Sequence, residues 1–207
     1  MSAPSTANGT PLSVRIRCGS PYSLNSRVKI GLASSTAVDA SASMAEIVKH
    51  LVARGYQRPG YMSGARALSS GLERQKYHAK YWRKHGVRKV PELAAGAYDY
   101  RSAEEALRRY LSETPAEQRI DVLMCENDVL AIGAHDVAQR EFGLRIPEDL
   151  AIVGYDGMDI AGMPMFGLTS YAQPMDDMIA ALVDMLKGRS TSRSVLLPGQ
   201  LAVRKST

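Results

Sequence analysis

One uninterrupted apolar stretch, residues 150–155 (LAIVGY), constrains the possible folds of this chain more than any other feature. It ends in Asp156, and such a run closed by an acid is typical of a strand that is buried on both faces and emerges at the edge of a sheet. Upstream, Gly143 follows a helical pattern as a glycine at a helix end does, and Pro147 begins a turn. The pattern predicts a helix end, a turn, a buried strand and an exposed carboxylate at the kind of strand end where open α/β sheets bind ligands.

Strand and helix patterns alternate along the rest of the chain. After residues 1–12, which are small and polar and predict disorder, strands are predicted at 14–17, 28–33, 60–62, 93–98, 121–126, 168–171, 195–197 and 201–203. Helices are predicted between Asp39, as N-cap, and Gly55, over 69–85, from Ser102 in a capping box with Glu105, over 128–142 and over 174–187. This alternation implies parallel strands joined by right-handed crossovers, and therefore the α/β class.

Composition and length place the chain among globular proteins. Its 207 residues suffice for one or two domains, and 45% are hydrophobic, enough to bury a core. No run approaches the ~18 consecutive apolar residues of a membrane-spanning helix, and the N-terminus lacks the basic start and apolar segment of a secretion signal. We therefore expect a cytoplasmic protein with no membrane partner. Cys18 and Cys125 are far apart in sequence, which predicts two reduced thiols, one in a loop and one in the core.

The positive charge is concentrated in one segment. The formal net charge is +5, and the densest basic patch runs over residues 74–89, on a helical pattern with Tyr77, Tyr81 and Trp82 interleaved. One interpretation is a solvated helix face whose aromatic side chains turn inward; the other is a phosphate-binding face. Nothing in the pattern indicates that the chain reads nucleic-acid bases.

Polar residues follow three of the predicted buried strands. Ser63 and Gly64 follow the first, residues 126–128 (END) follow the second, and Asp156 closes the third. Because the carboxyl ends of parallel strands share one edge of a sheet, these groups are expected to converge. Carboxylates, amides and hydroxyls together suit a polyhydroxylated ligand.

Catalytic signatures are absent from the sequence. The four histidines have no metal-ligand spacing, no serine lies in a GxSxG turn, and no GxGxxG or phosphate-binding loop follows a strand. The methionines of the last third are more typical of adaptable core or interface packing than of a metal site. We therefore expect no enzyme activity, no cofactor and no metal.

Several separated motifs carry a resemblance to a known family. Residues 143–156, ending in IPEDLAIVGYD, together with 50–56, 125–134, 168–174 and 196–207 resemble, in order, the LacI (lac repressor) family of transcription regulators, in the part that senses small molecules. The resemblance spans roughly residue 38 to the C-terminus. It does not extend to the helix-turn-helix headpiece and hinge helix with which such regulators begin.

The resemblance implies a periplasmic-binding-protein-like type I fold, in which the chain crosses three times between two α/β lobes and ligand binds in the cleft. By that comparison residues 1–37 are a disordered N-terminus and partial first lobe, and 38–207 form the effector-binding domain. Within it, 38–165 form a largely complete main lobe, 166–194 cross into the partial lobe and 195–207 return as a strand.

The resemblance also assigns roles to three charged or amide side chains. Asn127 matches an asparagine that binds ligand in the cleft, with a helix cap as the alternative. Asp156 matches the cleft aspartate that accepts ligand hydroxyls or ring nitrogens, with a loop cap as the alternative. Arg74 matches a cleft arginine that clamps a ligand oxygen, with membership of the solvated basic face as the alternative.

Two further positions complete the implied site. Tyr98 matches an aromatic residue that stacks on ligands, although a core or surface tyrosine is an equal alternative. Gln173 matches a residue at the lobe crossover, where it serves hinge geometry as well as binding. Asp128 is expected to anchor the N-terminus of the following helix. The family usually has a second acid after the cleft aspartate, whereas this chain has Gly157.

The expected function is a ligand sensor. A small polar effector, a sugar or related metabolite, would bind in the cleft and change the DNA binding of a homodimer, through a headpiece that this chain lacks. Two alternatives stay open: an interaction or dimerisation module without ligand binding, and a solute-binding protein for sugar transport.

Overall fold

A mostly parallel sheet flanked by helices forms the body of the chain, in a computed structural model that describes residues 27–30, 34–65, 69–190, 192 and 194–207. The strands are β1 Arg27–Ile30, β2 Ser34–Val38, β3 Pro59–Ser63, β4 Glu92–Ala94, β5 Val122–Cys125, β6 Ala151–Asp156, β7 Thr169–Ala172, β8 Ser194–Leu197 and β9 Gln200–Ala202. The α-helices are α1 Ala40–Ala53, α2 Ser69–Lys84, α3 Tyr100–Glu113, α4 Asp128–Arg140 and α5 Met175–Leu186. Short 3-10 helices lie at Ala116–Gln118 and Asp159–Gly162.

The strands form two sheets. The larger has the order β4-β3-β5-β6-β7-β9, and its pairs are parallel except β7 with β9. The smaller has the order β1-β2-β8, with β1 antiparallel and β8 parallel to β2. The predicted α/β class is confirmed, and the parallel β3, β5 and β6 end at one edge as expected. The antiparallel pairs were not anticipated.

Strand β6 lies at the centre of the larger sheet and is buried along its length. Ile152 belongs to the core on one face, with residues of α3 and α4, whereas Val153 belongs to the core on the other face, with residues of α1 and α2. Successive side chains of a strand point to opposite faces, so an unbroken apolar run satisfies both layers. The predicted double-sided burial of this strand is therefore confirmed.

Three short segments connect the two sheets within the described residues. Asp39 lies between β2 and α1, residues 173–174 lie between β7 and α5, and residues 198–199 lie between β8 and β9. Helix α1 packs on α2 and β9, whereas α5 packs on β2 and β8 of the smaller sheet. The chain thus passes from one sheet to the other at each of these points.

Local features differ from the predictions in two places. Helix α3 is capped by Asp99, whose carboxylate accepts hydrogen bonds from the Ser102 backbone N–H and Oγ at 2.9 Å, so the predicted capping box starting at Ser102 is wrong. The strand predicted at 93–98 ends at Ala94, because Gly96 adopts a positive φ of 83° in the turn that follows. Asp39 caps α1 as predicted.

Some expectations fall on undescribed residues. The predicted disorder of 1–12, the strand at 14–17 and the environment of Cys18 lie outside the described residues. Cys125 is a free, buried thiol in the core, as predicted. None of the helices that the structure describes is long and apolar enough to span a membrane.

Candidate ligand-binding site

Helix α2 carries Arg74 into the interior, although basic residues surround it in sequence. Gly71, Arg74, His78 and Trp82 recur every three or four residues and are all buried, which gives α2 one inward stripe. Arg74 is only 6% exposed. Its interpretation as part of a solvated basic face is therefore wrong.

The remaining cations of α2 do form an exposed face. The side chains of Lys76, Lys80, Arg83 and Lys84 are exposed. Lys80 Nζ lies 5.4 Å from the centroid of the Tyr77 ring. Trp82 turns inward as predicted, whereas Tyr77 and Tyr81 are only partly buried.

The Arg74 guanidinium lies between an aromatic ring and two acids. Its Cζ is 4.4 Å from the centroid of the Tyr155 ring, and its Nη2 is 3.8 Å from Glu126 Oε1. Burial by itself lowers the pKa of Arg74, but nearby tyrosines together with Asp156 and Glu126 raise it above its ordinary value. Arg74 therefore stays charged inside the protein.

Glu126 links three elements at the end of β5. It is 3% exposed; its Oε2 accepts a hydrogen bond from the Gly64 N–H at 2.6 Å, and its Oε1 accepts one from the Tyr98 hydroxyl at 2.8 Å. A Cβ at Gly71 would lie 1.4 Å from Oε1, so α2 approaches this closely only because residue 71 is glycine. The sequence analysis placed Glu126 among the polar groups expected to converge at this sheet edge, but gave it no role of its own.

Tyr98 lies on the connection between β4 and α3 and is half-buried. Its ring packs directly on Gly64, where a Cβ would lie 2.4 Å from the ring carbon Cε1. Burial, and then the charge of Glu126, raise the pKa of the Tyr98 hydroxyl, which keeps it a hydrogen-bond donor. The structure thus brings Tyr98 to the same carboxylate that faces Arg74.

Asp156 ends β6 in an unusual backbone conformation. Its φ of 113° lies in a region that residues other than glycine rarely adopt, and such strain is concentrated at functional sites. Burial raises the pKa of Asp156 to about 7, against the opposing effect of the Arg74 charge. At neutral pH this carboxyl is therefore poised between hydrogen-bond donor and acceptor.

The departure from the family pattern at Gly157 has a steric cause. Gly157 has a φ of 73°, and a Cβ there would lie 2.5 Å from the Cβ of Ala172. A second acid after Asp156 does not fit this backbone. Asp156 is therefore the single carboxylate at the end of β6.

Gln173 connects Asp156 to the crossover between the sheets. Its Nε2 donates a hydrogen bond to Asp156 Oδ1 at 2.6 Å. Its Oε1 is buried and has no hydrogen-bond partner among the described residues. One end of this amide thus positions the carboxyl, and the other end is an available acceptor.

Asn127 caps α4, as the alternative interpretation proposed. Its Oδ1 accepts a hydrogen bond from the Leu130 N–H at 2.9 Å. Its Nδ2 is buried without a hydrogen-bond partner in the part of the chain that the structure covers. The cap uses only the oxygen of this amide, so the donor end is left for another group.

Asp128 is the acidic residue of the first turn of α4, as expected, and its carboxylate also bonds to groups outside the helix. It accepts hydrogen bonds from Ser170 Oγ at 2.6 Å and from the Met158 N–H at 2.7 Å. Burial raises its pKa to about 6. A Cβ at Gly154 would lie 2.1 Å from Asp128 Oδ1, so this carboxylate is packed directly over β6 and joins it to β7.

A cavity of about 190 Å³ opens between the two sheets next to Arg74. Its walls include Val38 of β2 and Leu196 of β8 on one side, and Arg74, Tyr77 and Tyr155 on the other. Of the five residues predicted to bind ligand, only Arg74 lines this cavity, whereas Tyr98, Asn127, Asp156 and Gln173 do not. A cation, an aromatic side chain and apolar side chains therefore line the same cavity.

This arrangement suits recognition rather than bond cleavage. Arg74 supplies fixed donors, Glu126 and Asp156 supply acceptors, and the Tyr77 ring supplies a flat apolar surface at the cavity. Arg74 and Tyr171 already stack on the Tyr155 ring. Among the residues described, no group of three or more His, Cys, Asp or Glu side chains could hold a metal ion.

Comparisons with known proteins identify the family. The model of the periplasmic binding protein-like domain matches residues 48–207. The transcriptional repressor CytR of Escherichia coli K12 is 29% identical over 168 residues, covering 78% of this chain and 48% of that protein. The chain thus spans about half the length of the curated relatives it matches.

Solved structures agree with this assignment. A regulatory protein of the LacI family from Chloroflexus aggregans superposes with a TM-score of 0.72 at 26% identity, covering 83% of this chain and 62% of that chain. The regulator CelR in complex with cellobiose also gives a TM-score of 0.72 at 26% identity, covering 87% of this chain and 56% of that chain. The chain belongs to the periplasmic binding protein-like domain family, and within it corresponds to the effector-binding region of LacI-type transcription regulators.

Proposed function

We propose that this chain is the effector-binding domain of a LacI-type regulator and that its cleft binds a small polar effector, a sugar or sugar derivative. The observation that carries the proposal is the buried Arg74, held over Tyr155 beside Glu126 and bordering a cavity between the two sheets. A buried cation held by acidic neighbours at the wall of a cavity is a candidate for ligand recognition.

The polar groups around the cavity support a hydroxylated ligand. Vicinal hydroxyls both donate and accept, so they pair with a guanidinium and with carboxylates at once, while a sugar ring stacks on tyrosine. The buried amide ends of Asn127 and Gln173 lack hydrogen-bond partners among the described residues, although neither residue lines this cavity. The complex of CelR with cellobiose supports a sugar as the ligand class.

The proposed mechanism is a shift between two arrangements of the sheets. The larger sheet with α1 to α4 is taken as the main lobe, and the smaller sheet with α5 as the partial lobe, in keeping with boundaries near residues 38, 165 and 194. Because the cavity has walls from both sheets, a bound ligand favours the arrangement that it bridges best. In a complete cytoplasmic regulator this preference would change the DNA binding of a homodimer.

A thermal-shift screen with matched variants tests the proposal. Cellobiose, other sugars, sugar phosphates and nucleosides are added to the wild-type chain and to Asn127→Ala and Asp156→Asn. A ligand at a hundred times its Kd stabilises by about 2.7 kcal/mol, and both variants should lose most of that gain. Arg145→Ala serves as the control, because this exposed arginine pairs only locally, with Asp149 at 2.7 Å. Equal stabilisation of all variants would contradict binding in the cleft.

One observation favours a second function, self-association. Ile179, Val183 and Leu186 recur along α5 and are exposed, and Leu196 on the neighbouring β8 is 58% exposed. Exposed apolar stripes of this kind mark interaction surfaces. If no compound stabilises the chain while light scattering shows a dimer that Ile179→Lys dissociates, a dimerisation module is the better description.

A further inference from the structure

The exposed cations of α2 lie opposite the side chains that this helix buries. Lys76, Lys80, Arg83 and Lys84 are all exposed. With 3.6 residues per turn they fall within a sector of about 100° around the helix axis. The centre of that sector is opposite the inward stripe that contains Arg74. These four residues form the basic face of α2.

The positive charge of the chain is concentrated on and just after this helix. Six basic residues between positions 76 and 89 exceed the formal net charge of the whole chain, which is +5. No acid lies between Glu73 and Glu92 in the sequence. The four cations of the basic face form no ion pair with an acid in the part of the chain that the structure describes.

Two tyrosine rings hold the lysines of the basic face in a row. Lys80 Nζ lies 5.4 Å from the centroid of the Tyr77 ring and 5.7 Å from that of the Tyr81 ring. Lys84 Nζ lies 5.0 Å from the centroid of the same Tyr81 ring. The Tyr81 hydroxyl is 2.9 Å from Ser41 Oγ, which fixes this ring against α1. Attraction to the rings restricts the lysines before any partner binds, and such restriction reduces the entropic cost of binding.

The stability of α2 does not account for the whole basic face. Arg83 and Lys84 lie in the last turn, where a cation is favoured by the helix dipole. Lys76 and Lys80 lie before that turn. Like charges four positions apart on a helix repel each other, so the row of lysines opposes the stability of the helix. A partner that supplies negative charge would relieve this repulsion.

The composition of the basic face favours a phosphate backbone over a protein or a membrane. Lysine is depleted in protein–protein interfaces, and membrane-surface helices carry an apolar face. No large apolar side chain is strongly exposed between positions 76 and 89, all of which the structure describes. The face therefore lacks the apolar anchors that either of those partners needs.

The geometry of the row favours a duplex over a single strand. Single-strand binders stack unpaired bases on aromatic rings, whereas the rings of Tyr77 and Tyr81 already carry lysine ammonium groups. Lysines four positions apart are separated by about 6 Å along the helix. Duplex DNA has one charge per about 1.7 Å of its axis, so every cation of the row can reach a phosphate.

We propose that the basic face of α2 binds the phosphate backbone of double-stranded DNA without reading its sequence. The lysine ammonium groups and the Arg83 guanidinium pair with phosphate oxygens and release the counterions of the DNA. This surface is separate from the cleft, and its binding does not depend on the function proposed for the cleft.

Fluorescence anisotropy of short labelled duplexes tests the proposal with the wild-type chain. Two duplexes of unrelated sequence should bind equally well. Four neutralised phosphates give a slope of about −3 to −4 for the logarithm of the association constant against that of the salt concentration. Affinity should thus fall about a hundredfold between 50 and 200 mM salt. An affinity independent of salt, or tighter binding of a single strand of the same length, would overturn the proposal. Polyglutamate that displaces the duplex as well as unlabelled DNA does would indicate an acidic protein partner instead.

Paired charge reversals locate the binding. Lys76→Glu combined with Lys80→Glu should weaken DNA binding at least tenfold and reduce the salt slope by about 2, one for each lost phosphate contact. Arg101→Glu combined with Arg109→Glu is the matched control, because it changes the net charge equally at exposed positions of α3, which packs on the other face of the larger sheet. The control pair should weaken binding less than threefold. Equal weakening by the two pairs would mean that binding follows net charge alone and would refute a site on α2.

Discussion

Removing the Glu126 carboxylate should destabilise the chain far more than removing an exposed one. In Glu126→Ala, the Gly64 N–H and the Tyr98 hydroxyl lose acceptors at 2.6 and 2.8 Å, and Arg74 loses an acidic neighbour at 3.8 Å. Hydrogen bonds to a charged group contribute about 1.5–3 kcal/mol each, and deleting one partner of a buried ion pair costs about 3–5 kcal/mol in all. We expect a loss of about 4 kcal/mol in the free energy of unfolding.

Urea unfolding at pH 7, followed by the fluorescence of Trp82, measures this loss. Glu126→Gln keeps the shape and one carbonyl acceptor, so it should lose less than the alanine variant. Glu141→Ala is the control, since this exposed carboxylate bonds only to the exposed Arg108 at 2.6 Å. If Glu126→Ala lost no more stability than Glu141→Ala, the argument that the carboxylate compensates a buried Arg74 would be refuted.

Three further predictions concern local features of the structure. Burial raises the pKa of Asp156 from 3.8 to about 7, so the folded chain holds a proton that the unfolded chain releases between these values. The free energy of unfolding should therefore fall by on the order of 3 kcal/mol as pH rises from about 4 to about 7. Urea unfolding at a series of pH values should show a flatter dependence for Asp156→Asn. An unchanged pH profile in this variant would contradict the raised pKa of Asp156. Gly71→Ala should lower the free energy of unfolding by about 2 kcal/mol, because the new Cβ would meet Glu126. In unfolding experiments the double variant with Glu126→Ala should lose less than the sum of the two single losses. Full additivity would mean that residues 71 and 126 do not touch. Asp99→Ala should lower the free energy of unfolding by about 1 kcal/mol, because α3 loses its N-cap; the urea midpoint measures this loss. An equal loss in Glu105→Ala would instead support the capping box of Ser102 with Glu105.

The parallel sheet was predictable because burial on two faces leaves a plain mark in sequence. The apolar run of β6 has no polar alternation, and only a strand between two helical layers accommodates it. The convergence of the polar residues after β3, β5 and β6 was also predictable, because parallel strands end at the same edge of a sheet. Glu126 and Asp156 lie at that edge as this reasoning requires.

The burial of Arg74 was not predictable from residues near it. Six other basic residues between positions 76 and 89 suggest a solvated face, and the charges that compensate Arg74 come from Glu126 and Asp156, more than 50 positions away. The helix start at Asp99 rather than Ser102 was also ambiguous, because both residues are good N-caps three positions apart. The roles toward a ligand of all five predicted site residues, Arg74, Tyr98, Asn127, Asp156 and Gln173, stay predictions.

The three connecting segments between the sheets limit how the two halves can separate. A single peptide bond cleaved at one of them, for example near residue 198, would leave two covalent tethers, so a nicked chain should migrate as one particle under native conditions. Because these segments join the two sheets covalently, the two halves cannot separate completely. A small change in the angle between the two sheets would therefore displace atoms by an amount that grows with their distance from the connecting segments.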